Sequence, residues 1–139
     1  MARKFTIDIH SGFAELWRYN ISTMCGGFDA SGERCDFVST ASDVAPVGAN
    51  LKEPPAEAAG PRDLRISTAE CDSIVAYVYV IPHTLPVSRD VDDFRPFTLD
   101  VKVSASDGSV LYDVAHKVNQ WSGASIEIKL PQAKTVREV

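Results

Sequence analysis

The sequence lacks a long apolar run. No window approaches the roughly 18 uninterrupted apolar residues that a helix needs to cross a bilayer. The amino terminus, Met1-Ala2-Arg3-Lys4, leads directly into a strand-like segment without the apolar core of a signal peptide. These absences predict a soluble protein with no membrane span that stays in the cytoplasm. It would be secreted or periplasmic if a signal peptide had been removed.

Basic residues are also few. The chain has 14 Lys and Arg residues against 19 Asp and Glu residues, which gives a net charge of -5. The basic residues are scattered along the chain, whereas a surface that binds phosphate groups gathers them into a patch or stripe. Nucleic acid is therefore not an expected partner.

Cysteine is scarce and odd in number. The three residues Cys25, Cys35 and Cys71 cannot all pair within one chain, and none of them lies at the short spacing of a metal site. Three reduced thiols are the expectation. A bridge between Cys25 and Cys35 is the alternative in an oxidising compartment.

Signatures of catalysis are absent as well. The sequence contains no GxSxG, HExxH, P-loop or dinucleotide-binding motif. His10, His83 and His116 are ligand types that zinc accepts, but they have no zinc-site spacing either. We therefore predict no catalytic residue and no cofactor, and a non-enzyme is favoured over an enzyme.

What the sequence does contain is a regular β pattern. Phe97, Leu99, Val101 and Val103 alternate with polar residues, as in a strand with one buried and one wet face. The pair Asp107-Gly108 suits a tight turn, and alternation resumes from Val110 to Val118. The range 97–118 is predicted to be a β-hairpin, with Val110, Tyr112, Val114, His116 and Val118 on one face.

Similar alternation recurs along the chain. Phe5 to Ile9, Leu64 to Thr68 and Ala124 to Leu130 read as half-buried strands, and the aromatic and β-branched content of residues 13–24 favours a strand over a helix. Ile74 to Ile81 is apolar at every position, which predicts a central strand. Seven or eight short strands indicate an all-β fold, an antiparallel β-sandwich, with a partly open β-barrel as the alternative.

The domain organisation follows from length and composition. At 139 residues with 45% hydrophobic and 24% charged residues, the chain can bury one core. We predict a single domain over residues 1–131 and a polar tail over 132–139. Prolines and alanines without a sustained period predict a long loop over 39–63, and a loop of this length is usually a binding loop or a mobile excursion.

An acidic loop is the candidate metal site. Asp90, Asp92 and Asp93 place three carboxylates within four residues, and calcium prefers oxygen ligands of this kind. The spacing matches no calcium loop with fixed ligand positions, so a solvated turn is the competing interpretation. Calcium is the cofactor that this loop would hold if it binds one.

Aromatic residues are the candidate ligand-binding residues. Trp121 lies in a turn beside Gly123 and Trp17 lies near the end of an element, positions from which an indole can meet a ligand. Tyr77 and Tyr79 share one face of the central strand, where the expectation is burial in the core and the alternative is a binding platform.

These observations favour a binding or assembly module without enzymatic activity. It would meet a protein partner, or a second copy of itself, through a sheet edge or through the 39–63 loop. The alternative is a small metal-dependent or carbohydrate-active enzyme that uses the carboxylates of Asp90, Asp92 and Asp93.

Overall fold

Eight β-strands make up most of the described chain. A computed structural model of the protein describes residues 2–56, 62–86, 88, 90, 92 and 95–131. Besides the strands it contains one short 3₁₀ turn, Leu16–Arg18. The strands are β1 Phe5–Ser11, β2 Tyr19–Phe28, β3 Arg34–Ser42, β4 Arg62–Ser67, β5 Ser73–Pro82, β6 Pro96–Ala105, β7 Val110–Asn119 and β8 Ala124–Leu130.

The strands form two antiparallel sheets of four. The first sheet has the order β4-β1-β6-β7 and the second has the order β3-β2-β5-β8. The described strands thus build a β-sandwich and not a closed barrel, which confirms the predicted fold class. The hairpin predicted over 97–118 is the β6–β7 pair, and Gly108 adopts a φ of 91° in its turn.

The core lies between the two sheets and is filled by alternate residues of the strands. In β5, Ile74, Ala76, Val78 and Val80 are all at most 2% exposed. Because β5 lies between β2 and β8, its backbone is paired on both sides. The prediction of a central strand is confirmed. Residues that fill the core from other strands include Phe5, Ile7, Ile9, Ile21, Leu99, Val101, Val103, Ile128 and Leu130.

The expectation of a core position for the tyrosines of β5 is wrong. Tyr77 and Tyr79 lie on the outer face of the second sheet, with their ring centroids 6.2 Å apart. The Tyr77 hydroxyl donates to Glu127 at 2.8 Å. A run that is apolar at every position does not reveal which of its two faces turns inward, and the phenol groups favour the face where they can reach a polar partner.

A β-bulge changes the predicted alternation in β7. The β6–β7 register shifts so that Tyr112 stands opposite the buried Val103, while Val110 stands opposite Ser104 on the outer face. Val110 is consequently 52% exposed. The bulge adds one residue to β7, and one extra residue reverses the face of every position beyond it.

The segment 13–24 is only partly a strand. Residues Leu16–Arg18 form the 3₁₀ turn, and β2 begins at Tyr19. Strand β2 continues through Gly27, where a Cβ atom would lie 2.9 Å from the Sγ atom of Cys71. Glycine is needed there because the cysteine side chain packs against the strand backbone. Cys25, Cys35 and Cys71 are free thiols, and the Cys25–Cys35 bridge is not formed.

The long loop is shorter than its predicted range of 39–63. Its first four residues belong to β3, which ends at Ser42, and its last two belong to β4, which begins at Arg62. Alternating burial in these short stretches is too brief to stand out beside the prolines that follow. The predicted tail over 132–139 lies outside the described residues.

Burial of Val78 gives a test of the central strand. Val78→Asp should prevent folding, because an unpaired charge in the core costs more than about 4 kcal/mol. Val75→Asp on the same strand points to the outer face and should leave the protein folded. Soluble yield and circular dichroism of both variants measure the difference, and a folded Val78→Asp variant would contradict the assignment.

Candidate functional site

One end of the sandwich is built around the 3₁₀ turn, whose carbonyl groups accept hydrogen bonds from a half-buried arginine. The Nη2 atom of Arg62 donates to the carbonyl oxygens of Leu16 at 2.9 Å and Tyr19 at 2.7 Å. Its Nη1 atom donates to the hydroxyl of Ser42 at 2.7 Å. Burial lowers the pKa of Arg62 from its ordinary value. The guanidinium group therefore joins the first residue of β4 to the 3₁₀ turn and to the end of β3.

His83 completes the hydrogen bonding of the same turn. The side chain is 3% exposed, its Nε2 atom lies 2.8 Å from the Trp17 carbonyl oxygen, and its Nδ1 atom lies 2.7 Å from Thr84 Oγ1. A carbonyl oxygen only accepts, so Nε2 carries the proton and Nδ1 accepts from the Thr84 hydroxyl. That hydroxyl in turn accepts from the backbone N–H of Leu51 at 2.9 Å. The neutral imidazole fits this chain of bonds.

The loop after β3 is hydrogen-bonded to this network. The backbone N–H of Asn50 donates to the His83 carbonyl oxygen at 2.8 Å, and Leu85 N–H donates to Asn50 Oδ1 at 3.1 Å. Asn50 has a φ of 50°, a conformation that asparagine tolerates better than most residues. Nearer β3, Asn20 Nδ2 donates to the Ala45 carbonyl oxygen at 2.6 Å. Side-chain amides thus hold both parts of the loop in place.

A pocket of about 400 Å³ opens between this loop, the residues that follow β5 and the β7–β8 turn. We call it the end pocket. Most of its wall is apolar, and among the described lining residues His83 is the one that titrates near neutral pH. It is lined by Gly48, Asn50, Pro82, His83, Thr84, Leu85, Pro86 and Trp121.

Trp121 forms the wall contributed by the β7–β8 turn. Its backbone N–H donates to Asn119 Oδ1 at 2.8 Å, which fixes the turn. Its indole Nε1 atom is buried with no hydrogen-bond partner in the described part of the chain. A buried donor without a partner costs about 1–3 kcal/mol and is uncommon in proteins. The indole is thus held by packing and not by its polar atom.

Gly123 sets how closely this turn approaches β5. It has a φ of 74°, and a Cβ atom there would lie 2.0 Å from the Val80 carbonyl oxygen. Any other residue would push the turn away from the strand. The turn also approaches Pro82, whose Cδ atom would lie 3.1 Å from a Cβ atom on Gly123, and Trp121 and Pro82 both line the end pocket.

Trp17, the other predicted ligand-binding residue, lies at the same end of the sandwich. Its ring is 4% exposed, and the Arg18 guanidinium carbon lies 4.4 Å from the ring centroid. Only its carbonyl oxygen reaches the His83 network. The structure therefore brings Trp17 and Trp121 to the same region, but Trp121 alone lines the end pocket.

The acidic loop is described only in part. Asp90 and Asp92 are exposed, and Asp90 Oδ1 accepts the backbone N–H of Asp92 at 2.9 Å, as in a turn capped by its own side chain. Asp93 lies outside the described residues. Among the residues that are described, no three His, Cys, Asp or Glu side chains are grouped as metal ligands would be.

The outer face of the second sheet carries a second depression, of about 290 Å³. Gly26, Phe37 and Tyr77 are among the residues that line it. Phe37 is 52% exposed, and the Arg34 guanidinium lies 5.7 Å from its ring centroid. This apolar surface and the end pocket are separate features.

The residues that shape the end pocket were not predicted from the sequence. Asn50 and Arg62 lie within or at the end of a segment that showed no periodicity, and His83 follows the proline that ends β5. The local sequence gave no sign of their roles, because each acts on the backbone of a distant segment. The one available signal was a histidine placed directly after a fully apolar strand.

Comparison of the chain with protein-family models, with curated protein sequences and with solved structures gave no match. No helix in the described ranges is long and apolar enough to span a membrane.

His83 makes stability depend on pH. Burial lowers its pKa from the usual 6.5, and the nearby positive charge of Arg62 acts in the same direction. As the pH falls, His83 therefore binds its proton at a higher pH in the unfolded chain than in the folded chain. The free energy of unfolding should fall as pH drops below about 6.5 and be fully present above it.

Urea unfolding at pH 7.5 and pH 5.5 tests this expectation. The free energy of unfolding of His83→Gln should differ less between the two pH values than that of the wild type. Burial also lowers the pKa of His116, so His116→Gln is the matched control that measures the contribution of that residue. An unchanged pH dependence in His83→Gln would contradict the role of His83.

The acidic loop gives a prediction about metal. A calcium site at a hundred times its dissociation constant would add about 2.7 kcal/mol of stability. We expect millimolar calcium or a chelator to change the melting temperature by less than about two degrees, because fixed ligand spacing is missing. A larger shift that disappears in the double variant Asp92→Asn, Asp93→Asn would favour the enzyme alternative.

Proposed function

We propose that the protein is a binding module without enzymatic activity, and that it holds an uncharged, partly apolar ligand in the end pocket. The observation that carries the proposal is the position of Trp121, which faces a pocket of about 400 Å³ together with Pro82, Leu85 and Pro86. Small-molecule sites have volumes of about 300–1,000 Å³ and mostly apolar walls with a few polar groups.

The chemistry of the wall favours an uncharged ligand. Among the described residues that line the end pocket there is no Asp, Glu, Lys or Arg, and a neutral His83 fits its two hydrogen bonds. A charged ligand would lose its hydration without gaining an opposite charge. An indole ring and two prolines offer flat apolar surfaces that suit a proline-containing peptide or the face of an aromatic or sugar ring.

The end pocket is also held in shape before any ligand arrives. Asn50 and Thr84 line it, and both are fixed by the bonds that tie the loop to His83. Preformed walls reduce the entropy that binding would otherwise cost. The proposal agrees with the hypothesis that the loop over 39–63 acts in binding, with its pocket-lining part at Gly48 and Asn50.

Nuclear magnetic resonance can test binding because the chain has only two indole N–H groups. We expect N-acetylprolinamide and benzyl alcohol, at millimolar concentration, to shift the indole signal of Trp121 and leave that of Trp17 unchanged. Benzoate, which has the same ring with a negative charge, should cause a smaller shift. Trp121→Ala should abolish the response of the amide groups around the end pocket.

Two control variants distinguish binding in the end pocket from effects elsewhere in the protein. Trp121→Phe keeps an aromatic wall and removes the unpaired indole donor, so it should remain folded with an unfolding free energy no lower than that of the wild type. Tyr77→Ser alters the outer face and should bind the probes normally. Probes that shift only the amides around Tyr77, or none at all, would contradict the proposal.

A further inference from the structure

Strand β7 lies at the edge of the first sheet. It has 10 residues and pairs with β6 along its length, and no described strand pairs with its other side. An edge strand presents free backbone N–H and C=O groups that can pair with a further strand. It is also the longest of the four edge strands, since β4, β8 and β3 have 6, 7 and 9 residues.

The side chains of β7 are arranged so that the strand is complementary to itself. On its outer face, Asp113 and Lys117 carry opposite charges and lie two residues to either side of Ala115, and all three are exposed. Asp113 has no ion pair in the described part of the chain, and the Lys117 ammonium group has one long contact, 3.4 Å from Thr98 Oγ1. Val114, next to the centre, is 39% exposed.

We propose that two copies of the chain associate through β7, antiparallel, about a two-fold axis at Ala115. In this register Asp113 of each copy faces Lys117 of the other, and Val114 faces His116. The first sheets of the two copies would then form one continuous sheet. Asp113 already stands opposite Lys102 of β6, so it would lie between two lysines in the joined sheet.

Charge selects this register over its neighbours. An axis at Asp113 would place the two copies of Asp113 opposite each other, and an axis at Lys117 would do the same for Lys117. Like charges directly opposite each other destabilise a strand pair, while opposite charges stabilise it. The Ala115 axis is the one that pairs both charges of each copy with their opposites.

The shorter edges are less available. On β4, Asp63 lies 2.5 Å from the His10 imidazole and Arg65 is bonded to Asp8. On β8, Glu127 accepts the Tyr77 hydroxyl. On β3, Asp36 accepts the backbone N–H of Ala69 at 2.7 Å, and the Arg34 guanidinium lies 5.7 Å from the Phe37 ring centroid. These charged side chains already have partners within the chain, so pairing with a second copy would disturb existing contacts. Pairing through Asp113 and Lys117 of β7 would not disturb contacts of this kind.

The association should be weak and dependent on concentration. One pair of strands buries less than the roughly 1,600 Å² of a standard stable interface. Sedimentation velocity over a range of concentrations should therefore show a fast exchange between monomer and dimer for the full chain. The inference is independent of the ligand proposed for the end pocket.

A charge-swap experiment tests the register. Asp113→Lys and Lys117→Asp should each weaken dimerisation by roughly tenfold, because each variant places like charges opposite each other. An equal mixture of the two variants should restore association as a heterodimer, since the all-lysine edge then faces the all-aspartate edge. The double variant Asp113→Lys, Lys117→Asp should dimerise like the wild type.

Circular dichroism of each variant establishes that it is folded, and Lys129→Asp on β8 is the matched control on another edge. That control should leave dimerisation unchanged. The proposal would be overturned by a wild type that stays monomeric at all concentrations, by a mixture that does not associate, or by loss of the dimer in Lys129→Asp.

Discussion

The structure of this end of the protein depends on hydrogen bonds to the carbonyl groups of the 3₁₀ turn. A buried carbonyl needs a donor, and the turn cannot supply donors for all of its own. Arg62 donates to the carbonyl oxygens of Leu16 and Tyr19. His83 donates to that of Trp17 through its ring and to that of Arg18 through its backbone N–H. Since Arg62 begins β4 in the first sheet and His83 follows β5 in the second, these bonds tie the two sheets together.

The end pocket is a consequence of the same bonds. A neutral His83 that donates to the turn through Nε2 has Nδ1 free to accept from the Thr84 hydroxyl, and Thr84 Oγ1 also accepts from the backbone N–H of Leu51. This chain of bonds draws the loop after β3 against the residues that follow β5. Trp121 lines the same pocket, and Gly123 allows its turn to approach β5 closely. A requirement of backbone hydrogen bonding thus leaves a shaped cavity at the surface.

The two proposed interactions use different physical means. The end pocket offers apolar rings and a few fixed polar groups, which suit a small uncharged ligand. The edge of β7 offers backbone groups and two exposed charges, Asp113 and Lys117, which suit another strand. Neither depends on the other, so each can be tested on the same protein with variants that leave the other surface intact.

Alternation in the sequence was enough to predict the strands that matter for the fold. The hairpin over 97–118 and the central strand at 74–81 follow from local pattern, because a strand in a sandwich must turn every second side chain to the core. The presence of a turn at Asp107-Gly108 is local in the same way. These features are properties of neighbouring residues and need no knowledge of the rest of the chain.

Tertiary structure decided what local pattern leaves open. Both faces of the central strand are apolar, so only its packing shows that Tyr77 and Tyr79 face outward. The bulge that turns Val110 to the surface exists only in the pairing of β7 with β6. The roles of Arg62 and His83 depend on carbonyl groups far away in the sequence. The sequence by itself determined most of the strands and the class of fold, while contacts between distant segments determined β3, the sheet order and the end pocket.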